Sequence, residues 1–311
     1  MKWNSRRQKW VHFGVPQHYA IGFFPASVAA PWRLFCLENK VKMRYPLTAC
    51  ALIWRSSDSY PQFPMNLKLV ACEILFRELS FLAATSPHRI DIEFLPKGLH
   101  DLGRQGMFSR LDTVLAQIDE SQYDAILLGY ALCSGGVVGL TARTVPVILP
   151  RAHDCITLFL GDRKRYMDYF EANPGTYFKT TGWIERGGDL GLLAPESVQS
   201  KNGMNMSYLQ LVEKYGEENA KYLWEQLASM VHYSRLTFIE TGIEPNDRFE
   251  TETRQLAAER GWMFEKLTGN LSLLKRLLDG DWDDNDFLVL KPGQSIQFDY
   301  SERIVSSGQP Q

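Results

Sequence analysis

The chain predicts an α/β protein built on an open, mostly parallel sheet with flanking helices. Three observations carry that expectation. Short apolar runs of strand length alternate with helix-length segments from Met65 onward. Each run closes on a turn of glycine, proline or small polar residues. Cysteines and histidines follow the carboxyl ends of four successive runs, the edge at which open α/β sheets bind ligands.

Leu67 to Ala71 reads as the first strand and Glu73 to Ala84 as the helix after it. Ile90 to Phe94 is the second strand. Phe108, Leu111, Leu115 and Ile118 fall on one helix face. Tyr123 to Tyr130 and Val145 to Leu149 are buried strands, and Cys155 to Phe170 is one helix. A glycine- and proline-rich stretch from Pro174 to Gly191 holds a short strand near Tyr177 to Thr180, and its Gly187-Gly188 loop is a surface connection or a lid. Ser207 to Val231 has a long helical pattern. The alternation resumes with strand Arg235 to Glu240, helix Arg248 to Arg260 capped by Asn246 or Asp247, strand Trp262 to Leu267, helix Leu271 to Leu278 and strand Phe287 to Leu290. The last ten or so residues are polar and expected to fray. The elements divide into two Rossmann-like lobes around a cleft, residues 65–200 with the cysteines and residues 201–311 with the polar tail.

Residues 1–64 differ from the rest. They hold four of the eight tryptophans, and nine Lys and Arg stand against two acids, about +7 against about −9 for the remainder. No sustained period of 2 or 3.6 runs through them. They are expected to be a non-native extension before a start at Met65, or a basic targeting peptide. Cys36, Cys50, His12 and His18 are set aside with them. The net charge of −2 suggests no general affinity for nucleic acid or anionic membrane, and no apolar run reaches the ~18 residues of a membrane span. Five cysteines are too few for a disulfide scaffold in a chain of 311 residues. A reducing cytoplasm is the expectation, and there the thiols are metal-binding, catalytic or core.

Cys72, His100, Cys133, His153 and Cys155 are the candidate metal ligands. Three thiolates and one imidazole satisfy tetrahedral zinc, and three ligands plus water leave it open for catalysis. Iron, or cobalt within a corrinoid, is the alternative. The spacing contains no Cys-x-x-Cys, so the expectation rests on topology. Asp154 either orients His153 or caps the next helix. Arg151 either binds a substrate carboxylate or phosphate, or pairs with Asp154 or Glu73. Glu73 is an acid/base, a ligand or a first-turn carboxylate. Tyr130 donates its hydroxyl into the site or packs. Gly135 and Gly136 permit close backbone approach to a cofactor. Turns at Gly242 and Gly269 open helices that could hold an anion, although such turns ordinarily need glycine for geometry alone. No nucleotide-binding glycine motif is present. His88 and His232 are expected on surfaces.

Long motifs sharpen this reading. "ACE" after the first strand, "FLPKGLH", "ILLGYALCSGGVVGL", "PRAHDCITLFLG", "PGTYFKTTGWIE", "GWMFEKLTGNLSLLKRLLDGDW" and "DFLVLKPGQSI" resemble the bacterial and archaeal domain-of-unknown-function family 1638. The resemblance spans about Met65 to Ile296 and marks Cys72, Glu73, His100, Cys133, Arg151, His153, Asp154 and Cys155. This chain has Ala131-Leu132-Cys133-Ser134 where the family pattern has Gly-x-Cys-Gly, a small-for-small change. The resemblance implies a genomic setting beside corrinoid-dependent methylamine methyltransferases and supplies no established activity. Three functions are expected in order. The first is a zinc enzyme or accessory factor in methyl transfer, acting on a small molecule as a transferase or a hydrolase/lyase, with a corrinoid protein or methyltransferase as partner. There Glu73 or Asp154 is the base and Arg151 the substrate anchor. The second is a metal or corrinoid carrier without turnover. The third is a metal-free enzyme with Cys155 as nucleophile and His153 as base.

Overall fold

The computed structural model describes residues 64–186, 208–222 and 233–310. The basic amino-terminal segment to residue 63, the Gly187-Gly188 loop, residues 223–231 of the long helical pattern and His232 lie outside the described residues.

The first sheet has five strands in the order β2-β1-β3-β4-β8. They are β1 (Asn66–Cys72), β2 (Arg89–Leu95), β3 (Ala125–Gly129), β4 (Val147–Pro150) and β8 (Phe287–Leu290). The first four are parallel, with Leu69 opposite both Ile92 and Leu127. β8 joins the edge antiparallel, Val147 opposite Leu290. Period-two alternation sorts the strand side chains to two faces. Leu67, Leu69, Ala125 and Leu127 meet helices α1 (Phe76–Ala83) and α8 (Ser272–Asp279) through Leu79, Leu82, Leu274 and Leu277. Val70, Ile126 and Leu128 meet helix α2 (Gly103–Gln117) through Met107, Leu111 and Leu115. Both faces are therefore covered, as parallel sheets require.

The second sheet is parallel, in the order β5-β6-β7. β5 is Thr176–Thr180, β6 Arg235–Glu240 and β7 Met263–Thr268. β5 comes from before residue 200 and its partners from after it, while β8 returns from the far end of the chain to the first sheet. Helix α5 (Thr181–Glu185) joins the two sheets by packing on the 3-10 turn Glu73–Leu75 that leaves β1. Gly182 makes this possible, because a Cβ there would overlap the carbonyl of Ile74.

Three local expectations need correction. The single helix over Cys155 to Phe170 is two, α3 (Cys155–Leu160) and α4 (Arg163–Ala172). Gly161 breaks it with a left-handed φ of 74°, and Asp162 caps the second by accepting from the N–H of Arg165 at 2.6 Å. The polar tail does not fray: β9 (Ser295–Phe298) and β10 (Val305–Gly308) form an antiparallel pair, and Ile296 and Val305 are buried. His88 is buried at 8% exposure, its ring bridging the N–H of Met65 and the carbonyl of Asp279. The helical pattern from Ser207 gives α6 (Tyr208–Tyr215), closed by Gly216 at φ 78°. Helix α7 (Arg248–Arg260) is preceded by Asn246, which accepts from the N–H of Arg248 at 3.1 Å. Among the described residues no helix is long and apolar enough to cross a membrane.

Candidate thiol chamber

Strand order places the site. β2 lies to one side of β1 and β3 and β4 to the other, so connections diverge between β1 and β3, and a crevice opens beyond their carboxyl ends. Cys72 is the last residue of β1, Cys133 opens the 3-10 turn after β3, and Cys155 opens α3 after β4. The loops after β3 and β4 are zipped together, the N–H of Leu132 donating to Ala152 at 2.9 Å and that of Cys133 to His153 at 3.1 Å. Cys133 is held at a φ of 42°, a left-handed conformation costly for a residue with a Cβ.

The three cysteines among the described residues, all free thiols, line one cavity of about 340 Å³ between the first sheet's carboxyl edge and β5. Tyr166 and Phe170 of α4, Phe178 of β5 and Trp183 of α5 form aromatic walls. Lys97 and His100 enter from the loop after β2, the ammonium 4.9 Å from the Trp183 ring centre. Sequence reasoning passed over these aromatics and Lys97, because a Tyr or Phe in a helix or strand looks like core.

Burial pushes the Cys72 thiol up to about 11 and the Cys133 thiol to about 12, and raises Cys155 well above the ordinary thiol range. For Cys155 the neighbouring Asp154 carboxylate adds to the rise, followed by the other two cysteines, and for Cys133 both Cys72 and Asp154 add to it. Without a cation to compensate, the cluster is neutral at pH 7. Among the described residues no group of three or more Cys, His, Asp or Glu side chains is arranged to hold a metal ion.

The remaining candidates divide. Asp154 lines the chamber and caps α3: its Oδ1 accepts from Ile156 at 3.0 Å and Thr157 at 3.3 Å, and its Oδ2 accepts from the Tyr166 hydroxyl at 2.7 Å. The expected link to His153 is absent from these contacts. His153 is exposed and outside the lining, which also removes the base from the Cys155–His153 pair. His100 lines the chamber, but Nδ1 meets the carbonyl of Lys97 at 2.8 Å and Nε2 meets Asp101 at 3.0 Å. Burial pulls its pKa down, and Asp101 outweighs that, for a net rise. Glu73 lies outside the lining and accepts from the N–H of Lys97 at 2.8 Å, which ties the loop after β2 to the turn after β1.

Arg151 is no substrate anchor. It is 2% exposed, and its guanidinium donates to the carbonyls of Asp284, Phe287, Arg303 and Val305 and to the Asp284 carboxylate. Gly135 and Gly136 are packing glycines rather than a cofactor cradle. A Cβ on Gly135 would lie 2.6 Å from Phe298, and one on Gly136 would overlap Met107. The turn at Gly242 is no anion site, because Glu244 already accepts from the N–H groups of Thr241 and Gly242 at 2.7 and 2.8 Å.

No curated protein and no solved structure matches the chain. A family model does match, over residues 94–278, and its description reads "Protein of unknown function (DUF1638)". That span covers more than half of the chain and takes in Cys133, Cys155 and most of the chamber walls, and the chain belongs to this family.

Proposed function

We propose that the chamber binds a metal ion, zinc in preference to iron or cobalt, through Cys72, Cys133 and Cys155. The supporting observation is the delivery of three thiols by three separate strand ends to the lining of one cavity. The donor set fits in kind. Three soft ligands suit zinc, and with both nitrogens of His100 engaged and His153 outside, the fourth position falls to a substrate or water. The bound metal would supply Lewis acidity and a lowered pKa for the ligand at its open position.

The protein's own groups do the rest. Asp154, the only carboxylate of the lining among the described residues, holds Tyr166 and can take a proton from a ligand in the chamber. The aromatic walls offer apolar surface to a substrate and limit its size. The reading is a metal-dependent enzyme acting on a small molecule, a transferase or a hydrolase/lyase. We place it in one-carbon methyl transfer, with a corrinoid protein or methyltransferase as partner, on the genomic setting that the family resemblance implies. Reduced thiols suit the cytoplasm.

Elemental analysis tests the site. The protein is purified without chelator or metal-binding tag, beside folded Cys72→Ser, Cys133→Ser and Cys155→Ser variants. About one equivalent of zinc, iron or cobalt, lost in all three variants, is expected. No metal after anaerobic reconstitution overturns the reading.

A further inference from the structure

Tyr130 follows β3 directly and is 3% exposed. Tyr130 is among the residues that line the thiol chamber. Its hydroxyl is buried and has no hydrogen-bond partner among the described residues. Native proteins leave few buried hydroxyls unpaired, because an unmet donor costs its full desolvation. Parallel register sets Ala71 beside Gly129, so Tyr130 follows β3 at the level where Cys72 ends β1, and Cys72, Tyr130 and Cys133 share one lining. The donor therefore belongs to the thiol end of the chamber, among groups that do not accept its proton.

The remaining walls show what else an occupant meets. Phe178, Tyr166 and Trp183 present aromatic surface, and the cavity of about 340 Å³ admits only a small molecule. An occupant that satisfies Tyr130 needs a lone-pair-bearing head at the thiol end and an apolar body against the rings.

We infer that Tyr130 is a ligand-binding residue of the chamber, donating its hydroxyl to the acceptor head, thiolate or carboxylate, of a small apolar-bodied molecule. This rests on the reading of the chamber as a ligand site and names the class of ligand and the residue that orients it. The phenol stays neutral and acts as a donor. Its partner is supplied by the ligand, which explains why the protein offers none. Removing the hydroxyl alone, by Tyr130→Phe, keeps the ring in place.

Benzenethiol and benzoate are the two probes. Each is titrated calorimetrically into wild type and Tyr130→Phe, with metal-free and zinc-reconstituted full-length protein, and zinc content is measured in parallel. Saturable binding of at least one probe to wild type is expected, with the variant weaker on the order of tenfold. Preference for benzenethiol or for benzoate identifies the head group. Equal affinity in wild type and variant overturns the assignment, as does failure of both probes to bind either form. Zinc retained with equal affinities removes Tyr130 and leaves the metal site standing. No zinc, with weaker binding by the metal-free variant, removes the metal and keeps Tyr130. Thermal melting of the ligand-free pair adds a separate control. The variant should melt no lower than wild type, and a lower midpoint would reveal a structural partner for the hydroxyl and overturn the assignment.

Discussion

At the scale of single residues, position relative to the chamber decides which candidates retain a chemical role. His153 follows β4 as closely as Cys155 does, yet one is exposed and the other lines the cavity. His153→Ala should therefore keep the metal content and midpoint of wild type within error, whereas Cys155→Ser loses the metal. Loss of metal in both would return the imidazole to the ligand set. Sequence placed the three cysteines at one sheet edge from strand pattern alone, and the cavity contains all three. It had no means of separating Arg151 from a substrate anchor. A buried arginine that hydrogen-bonds carbonyls 133 to 154 residues away looks identical in sequence to one that waits for a carboxylate.

At the scale of elements, two contacts tie the segment after β1 to the segments that follow the strands of the second sheet. Gly182 lets α5 press on the turn after β1 and so brings Trp183 over the cavity. Gly182→Ala should cost several kcal/mol, through overpacking against backbone that cannot move aside, read as a lowered urea midpoint with unchanged slope. Tryptophan exposure should increase with it. An unchanged midpoint would mean that the helix is free to shift.

Glu78 is the second contact. It is fully buried on α1, with Oε1 3.1 Å from the Thr241 hydroxyl at the end of β6 and Oε2 unpaired among the described residues. Burial lifts its pKa to about 7, with Glu244 adding to the rise and Thr241 and Arg77 opposing it. The folded protein thus holds a proton that the unfolded chain releases near the ordinary carboxylate range. Its contribution is complete below that range and is lost as pH climbs toward 7, by up to about 3 kcal/mol. Glu78→Gln should flatten denaturation midpoints between about pH 4.5 and pH 7, and a pH profile like that of wild type would refute the assignment. A signal was present in the sequence. Glu78 stands three residues after Leu75 and four before Leu82, on the apolar stripe of its own helix.

At the scale of the whole molecule, β8 completes the first sheet, and the β9–β10 pair packs Ile296 and Val305 into the same core cluster instead of trailing from it. Arg151 at the end of β4 ties together the loop before β8, β8 itself and the approach to β10. Arg151→Ala leaves several buried carbonyls without donors, and about 3–5 kcal/mol of stability should be lost. The chamber lies elsewhere, so zinc content in the folded fraction should stay at the wild-type level. A stable variant without metal would instead place Arg151 in the site.

Local pattern determined a great deal of this protein. Strand Arg235–Glu240, helix Arg248–Arg260 and strand Phe287–Leu290 are legible at their observed bounds, because apolar period and turn chemistry act within a few residues. The α/β class and the cysteine-bearing sheet edge follow from the same short-range signals. Tertiary structure alone decided the rest. The antiparallel return of β8, the pairing of β5 with β6, and the convergence of Tyr166, Phe178 and Trp183 on three thiols join residues far apart in the chain. Burial of apolar surface is non-directional and carries no record in sequence of which partner covers which face. Only the packed fold determines which polar groups are satisfied internally and which are left facing a cavity.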